Sequence, residues 1–266
     1  MNQRNRLPTE LIYQLFSLLI AFIIVHSVYI SIIRPQADHF MQQEHKQMLV
    51  DSSYVQKRNF YVIVRDYEQE ACFILMIWAL AIMAFKGFSS WKQSHLLDQD
   101  LLRLPFELPI GPEDGKALLQ RLNELPDTMR YYLLPRALKM TIQRFSVTKN
   151  VQDAHSAMRD ICDSEAQRLD TELSTIRYNA WAIPSVGFIG TVRGIGDALS
   201  QANRAMEGDI TGVTESLGVA FNSTFIALVI SIVLMFFIHQ LQLLQERLVL
   251  DSENYCDEHL ISRLKS

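Results

Sequence analysis

Residues 182–200 read AIPSVGFIGTVRGIGDALS, a stretch apolar enough for a membrane and too irregular for a plain lipid anchor. It holds Pro184, Gly187, Gly190, Thr191, Arg193, Gly194, Gly196 and Asp197. A helix meant only to sit in hydrocarbon would be built from Leu, Ile and Val. Small residues instead let helices approach closely, and charges at membrane depth turn towards partners or cavities. The stretch therefore reads as a membrane helix that lines something shared between subunits.

Outward from it, the 266-residue chain is 49% hydrophobic and 20% charged. The apolar residues sit in blocks, the pattern of a membrane protein with a water-exposed domain. The fold class expected is all-α: a polytopic membrane protein with four transmembrane helices and a helical cytoplasmic domain. The first span is 11–33, LIYQLFSLLIAFIIVHSVYISII, which reaches about 34 Å as a helix. Its length and the lack of a small-x-small cleavage site make it an uncleaved span rather than a signal peptide. Arg34 and Pro35 are expected to close it. The second span is 71–88, the third 180–200 and the fourth 213–240. Between them lie a cytoplasmic N-terminus (1–10), a periplasmic helical segment (34–70), a cytoplasmic helical domain (89–179), a periplasmic turn (201–212) and a cytoplasmic C-terminal helix (241–266).

Four spans put both termini on one side. Lys86 to Arg177 carries thirteen Lys or Arg against five in 34–70, which supports placing the 89–179 domain and both termini in the cytoplasm of a bacterial inner-membrane protein. Within that domain, Met158, Cys162, Leu169, Leu173, Ile176, Ala180 and Ile183 keep a helical stripe, read as ordinary helix packing. Leu241, Leu244, Leu248 and Tyr255 continue a stripe expected to pack against it.

Several chemistries are excluded by what is missing. A net charge of −4 argues against nucleic acid as a partner. There is no GxxxxGK[ST], HExxH, CxxC or GxSxG motif, so neither an enzyme nor a metal or cofactor site is expected. Cys72, Cys162 and Cys256 are read as packing thiols. His26, inside the first span, is read as hydrogen-bonded to a neighbouring helix. No Asp or Glu lies at clear mid-depth in the apolar blocks, so a titrating carboxylate would have to come from elsewhere.

The last two spans carry the candidate site. Thr191 lies eleven residues from the inner end of span three and Thr224 eleven from the outer end of span four. In antiparallel helices both fall near mid-membrane. Thr191 shares a face with Pro184, Gly187, Gly194 and Ala198, and Thr224 with Ala220, Ala227 and Ser231. Such faces suit either of two roles: lining a narrow ion path, or bonding each threonine to its own helix carbonyl. Arg193, Asp197 and Asn222 point the other way and are expected to form a polar cluster inside one subunit.

These residues carry a resemblance. The segment from Pro184 through Gly187, Gly190 and Thr191 to Gly194 resembles the proline, glycine and threonine span of the MotA/TolQ/ExbB proton-channel family. Val219 to Leu228, with Thr224, resembles that family's next span, and the helix from Glu165 to Pro184 the one that feeds it. The resemblance covers about residues 160–250. It implies a homo-oligomeric ring, a pentamer, in membrane lipid, around a single-span ExbD/TolR/MotB-like partner that carries a membrane aspartate. Thr191, Thr224 and Ser231 would line the ion path. Pro184, Gly187, Gly190, Gly194, Ala198, Ala220 and Ala227 would pack that face. Ion flow, with protons as the default, would drive mechanical work or energised transport. Val219 stands where three-span members carry a glutamate, and the apolar residue fits four-span stators better. The cytoplasmic region lacks the stator charges that contact a rotor, so flagellar torque is not implied. The other class that fits is a non-conducting oligomeric scaffold with a partner-binding cytoplasmic domain.

Overall fold

The computed structural model describes residues 6–50, 59–102 and 109–265. The start of the expected N-terminal tail, 51–58 of the 34–70 segment and 103–108 of the 89–179 domain lie outside them. Among the described residues the structure is helical, with one isolated β-bridge between Ile110 and Leu264. The main helices are α1 (Arg6–Val28), α2 (Arg34–Val50), α3 (Phe60–Ile63), α4 (Tyr67–Ser94), α5 (Gly115–Asn123), α6 (Asp127–Arg130), α7 (Leu133–Thr148), α8 (Val151–Ser200), α9 (Ala202–Met206) and α10 (Thr211–His259).

Among the described residues, three helical stretches are long and apolar enough to cross a membrane: Leu11–Glu44, Tyr67–Ser94 and Thr211–Arg263. The 180–200 part of α8 is not among them. Its glycines, Arg193 and Asp197 dilute its apolarity, as its sequence foreshadows.

One expectation fails at Arg34 and Pro35, which do not end the first helix. A π turn, Tyr29–Ile33, joins α1 to α2, and the Arg34 N–H bonds the Tyr29 carbonyl. A proline ring inside an α-helix clashes with the carbonyl four residues earlier, and the wider π turn just before Pro35 makes room for it.

The chain divides into two compact units. The first comprises Met1–Met83 and Ile176–Ile238. Within it α1 and α4 run antiparallel: Tyr13 Oη donates to the Ala81 carbonyl, Trp78 Nε1 to the Gln14 carbonyl, and His26 meets Glu70. The α8 and α10 segments are antiparallel as well, with Ser231 against Ala180 and Thr191 against Ala220. α4 lies on α8 with Cys72 Sγ 3.7 Å from the Ile183 carbonyl. Large apolar side chains such as Leu15, Leu19, Phe188, Val192, Phe225 and Ile232 stay exposed, as lipid-facing side chains do.

The second unit comprises Ala84–Thr175 and His239–Ser266. Its core joins Leu118, Leu138, Ile142 and Phe145 with Met158, Cys162 and Leu169 of α8 and Tyr255, Cys256 and Leu260 of the chain's end. Of the expected C-terminal stripe, Tyr255 joins this core with the long helix, and contacts Arg159–Glu253 and His155–Asp257 edge it. Tyr255 Oη donates to the Gln99 carbonyl and accepts from the Leu101 N–H. All three cysteines are buried free thiols, and burial pushes Cys162 up to about 12, the mark of an inert packing group.

A hydroxyl-lined seam between α8 and α10

Three glycines set how closely α8 approaches α10. A Cβ on Gly187 would stand 2.6 Å from the Ala227 Cβ, one on Gly190 2.5 Å from the Ser223 Cβ, and one on Gly194 2.7 Å from the Ser216 carbonyl oxygen. None of these separations is tolerated, so only glycine allows the approach. Ala220 and Ala227 are buried in the same seam, and Ala198 is buried one turn beyond Gly194 on α8.

This closeness brings the two threonines together. The Thr191 and Thr224 hydroxyls hydrogen-bond each other. Thr191 Oγ1 also lies 3.0 Å from the Ala220 carbonyl, and Thr224 Oγ1 lies 3.1 Å from the Gly187 carbonyl. Two hydroxyl protons thus serve three contacts between the two helices. Either both protons go to backbone carbonyls, or one hydroxyl donates to the other. Each threonine reaches across to the partner helix, and Thr191 also lies 3.4 Å from the Gly187 carbonyl of its own helix. Both hydroxyls remain half-buried.

Ser231 belongs to the same set. Its hydroxyl donates to the Ala180 carbonyl at 3.0 Å. Pro184 sits four residues after Ala180 and has no N–H, so this carbonyl lacks its usual helical donor. The serine supplies one from the facing helix.

Arg193 lies off the seam. Its Nε and Nη2 bind Glu68 Oε1 and Oε2 at 2.7 and 2.8 Å, a bidentate pair, and Asp197 is 3.9 Å away. Asn222 is not among its hydrogen-bond partners. The structure thus brings Arg193 and Asp197 together, adds Glu68 from α4, and leaves Asn222 half-buried elsewhere on α10.

Glu68 and Glu70 are the site residues that the sequence reading passes over. Both precede the apolar block 71–88 and look like loop-facing charges. The register of α4 places Glu68 against Gly190, whose Cβ position is 3.1 Å from the Glu68 Cγ. Glu70 is buried, with Oε1 2.6 Å from His26 Nδ1 and Oε2 bound to Arg34. The carboxylates stand beside apolar stretches of neighbouring helices, not beyond them. Two glutamates at the head of an apolar block, with a His and an Arg eight residues apart in the preceding helical stretch, were the available signal.

Residues 131–254 match the model of the MotA/TolQ/ExbB proton channel family. Comparison with curated proteins and with solved structures gave no match. The matched region contains Thr191, Thr224, Ser231, Pro184 and all three seam glycines. The family is one of channels and energy transduction rather than of enzymes. Together with the long apolar helices, this match supports a membrane protein with an ion-channel-type role. The match over residues 131–254, where the two threonines face one another in their seam, supports membership of the MotA/TolQ/ExbB proton channel family.

Proposed function

We propose that this chain is the ring-forming subunit of an inner-membrane proton channel that works with a single-span, aspartate-bearing partner. Proton-motive force would be converted into mechanical work or energised transport. The observation that carries this reading is the Thr191–Thr224 hydroxyl pair inside the family-matched seam. A protonated partner carboxyl would donate to a threonine oxygen. Once ionised, it would accept from the hydroxyl, which would let go of the Ala220 or Gly187 carbonyl. The seam can thus serve both charge states without moving its backbone. One proton crossing 100 mV yields about 2.3 kcal/mol, so substantial work takes several.

In this reading residues 180–200 form a fourth span, supported by their antiparallel register with α10 over the whole length of the seam. Residues 34–70 and 201–212 then face the periplasm. The termini, 89–179 and 241–266 face the cytoplasm.

The test is Thr191→Val with Thr224→Val, in the complex co-purified with the product of a neighbouring short reading frame. Proton flux into proteoliposomes is expected to fall at least tenfold with the subunit count unchanged. Normal flux in the double variant removes the pore assignment. The scaffold reading draws on a different feature, a groove of about 520 Å³ in the second unit, floored by Leu169, Leu173 and Val249 and rimmed by Asp170, Gln245 and Glu246. A chain with no flux, whose partners are lost when this groove is filled, favours that reading.

A further inference from the structure

The second unit carries two complementary surfaces on opposite sides of α8. The first is the groove between α8 and α10, with a volume of about 520 Å³ and an apolar floor of Leu169, Leu173 and Val249. Asp170 and Glu246 line it, and among the described residues no basic side chain does. Glu246 Oε1 accepts from Gln242 Nε2 at 2.8 Å, a neutral donor that leaves the carboxylate charge in place. Gln245, also in the lining, is 3% exposed, and its side-chain carbonyl oxygen has no hydrogen-bond partner among the described residues. Buried acceptors are ordinarily matched. The groove is therefore short of both positive charge and hydrogen-bond donors.

The second surface is the outer face of α7. Arg136, Met140, Gln143, Arg144 and Val147 fall within about 100° of one another around that helix. Met140 and Val147 are 46% and 81% exposed, so the chain itself does not cover them. No Asp or Glu lies on α7. Arg136 is paired with Glu165, whereas Arg144 makes no ion pair among the described residues. Asp160, on α8, is the carboxylate that borders this face. An apolar stripe flanked by cations suits a helix that lies in an acidic groove.

Length and position agree. The bounding stretches 166–173 and 242–249 each run about 10 Å, and so does Met140–Val147. Asp170 and Glu246 stand near the middle of their stretches, and Arg144 near the middle of its own. The arginine therefore meets the carboxylates whichever way α7 runs. Around α8, Leu169, Asp170 and Leu173 of the groove are centred about 180° from Asp160, Ile161 and Ser164, which border the α7 face. One copy cannot turn α7 into its own groove. It can offer α7 to one neighbour while receiving that of another, which is a head-to-tail contact.

We propose that the α8–α10 groove receives α7 of a second copy of this chain. Arg144 enters between Asp170 and Glu246, and Met140 and Val147 lie on the floor of Leu169, Leu173 and Val249. This deepens the ring-forming reading by naming a subunit contact outside the spans, and rests on that reading only for the number of copies.

The experiment uses two differently tagged full-length copies co-expressed in one membrane, one with Gln143→Cys and the other with Ala166→Cys. Both positions are exposed, and the native cysteines are buried. A short bis-maleimide should join the two copies, while neither variant alone gives a product. Arg144→Glu on the first copy should lower the yield about tenfold, because like charges then meet across the contact. Glu246→Arg on the second copy should restore much of it. Val147→Asp on the first copy should act as Arg144→Glu does. All three substituted side chains are exposed, so the thermal midpoints should stay with the parent. Absence of the joined product, a yield indifferent to the charge reversal, or no recovery in the swapped pair overturns the proposal. A product joining the Ala166→Cys copy to a different protein overturns it as well, since the groove then has another occupant. Ion flux is a separate readout: product without flux defeats the channel reading alone, and flux without product defeats this contact alone.

Discussion

Ser231 on α10 donates its hydroxyl to the Ala180 carbonyl that Pro184 strips of its helical donor, at 3.0 Å. One residue creates a gap in the backbone ladder of α8 and the other closes it from the facing helix. Ser231→Ala should therefore cost about 1–3 kcal/mol, the price of an unmet carbonyl in an apolar setting. In a Pro184→Ala background, where an N–H returns to the helix, the same substitution should cost much less. A double-mutant cycle by thermal unfolding in detergent measures the coupling, expected to be about 0.5–3 kcal/mol. Equal costs in both backgrounds contradict the pairing.

The glycines divide into two groups with opposite expected outcomes. Gly194→Ala drives a methyl to 2.7 Å from the Ser216 carbonyl oxygen, a backbone atom that cannot step aside alone. Overpacking of this kind costs about 1–3 kcal/mol. A Cβ on Gly196 or on Gly218 meets nothing within 4 Å. Alanine there should leave the folded subunit as stable or raise its stability by about 1 kcal/mol through helix propensity. Unfolding midpoints of the purified variants check both. A Gly196→Ala protein that folds as expected yet no longer self-associates would show that this open notch receives a neighbour.

Arg193 and Glu68 join α8 to α4 by two parallel hydrogen bonds, with Glu68 mostly buried and Arg193 half-exposed. Arg193→Leu leaves that carboxylate unpaired beside Gly190. The expected loss is about 2–4 kcal/mol, below the full cost of a deeply buried break because the arginine is accessible. Adding Glu68→Gln should recover a large part of it. Thermal midpoints of the two single variants and the double supply the test, and an unaffected Arg193→Leu protein shows that the pair holds nothing.

The second unit has its own acid-sensitive contact. Burial pushes the Glu165 carboxyl up, but hydrogen bonds from Arg168 and Arg136 outweigh this and hold it below its ordinary value of 4.5. A depressed carboxyl contributes stability that is fully present above its unfolded pKa and is lost as pH falls through the folded one. Melting of the wild-type protein should therefore be flat from neutral pH to about 5 and fall below about 4. Glu165→Gln should melt lower at neutral pH and show a shallower acid fall. The comparison is a pH series of thermal scans on the two proteins.

Much of the architecture was legible because helical periodicity writes itself into long apolar stripes. Met158, Cys162, Leu173, Ile176 and Ile183 were read as a packing face, and each is buried. The matched depth of Thr191 and Thr224 also followed from residue counting. What counting does not supply is which neighbour a face meets. The Gly187, Gly190 and Gly194 side of α8 was read as turned to a shared path, and within the chain it lies against α10. Arg193 was assigned partners by depth on α8 and α10, while its strongest partner comes from the head of α4. That register depends on where Glu68 and Glu70 come to rest, which is a property of packed helices rather than of any single apolar run. The π turn before Pro35 was hidden for a related reason: a proline signals a break in one dimension, whereas a chain can absorb it by widening a single turn.

The two protons shared among three contacts at Thr191 and Thr224 have a further consequence. The network is degenerate: it can be drawn in more than one way with the same atoms, and every drawing leaves one of the three contacts between the helices without a proton. A seam whose hydrogen bonds were all saturated would resist a passing charge. This one carries a vacancy that moves from oxygen to oxygen by hydroxyl rotation alone, so an incoming donor finds a place without first breaking a bond.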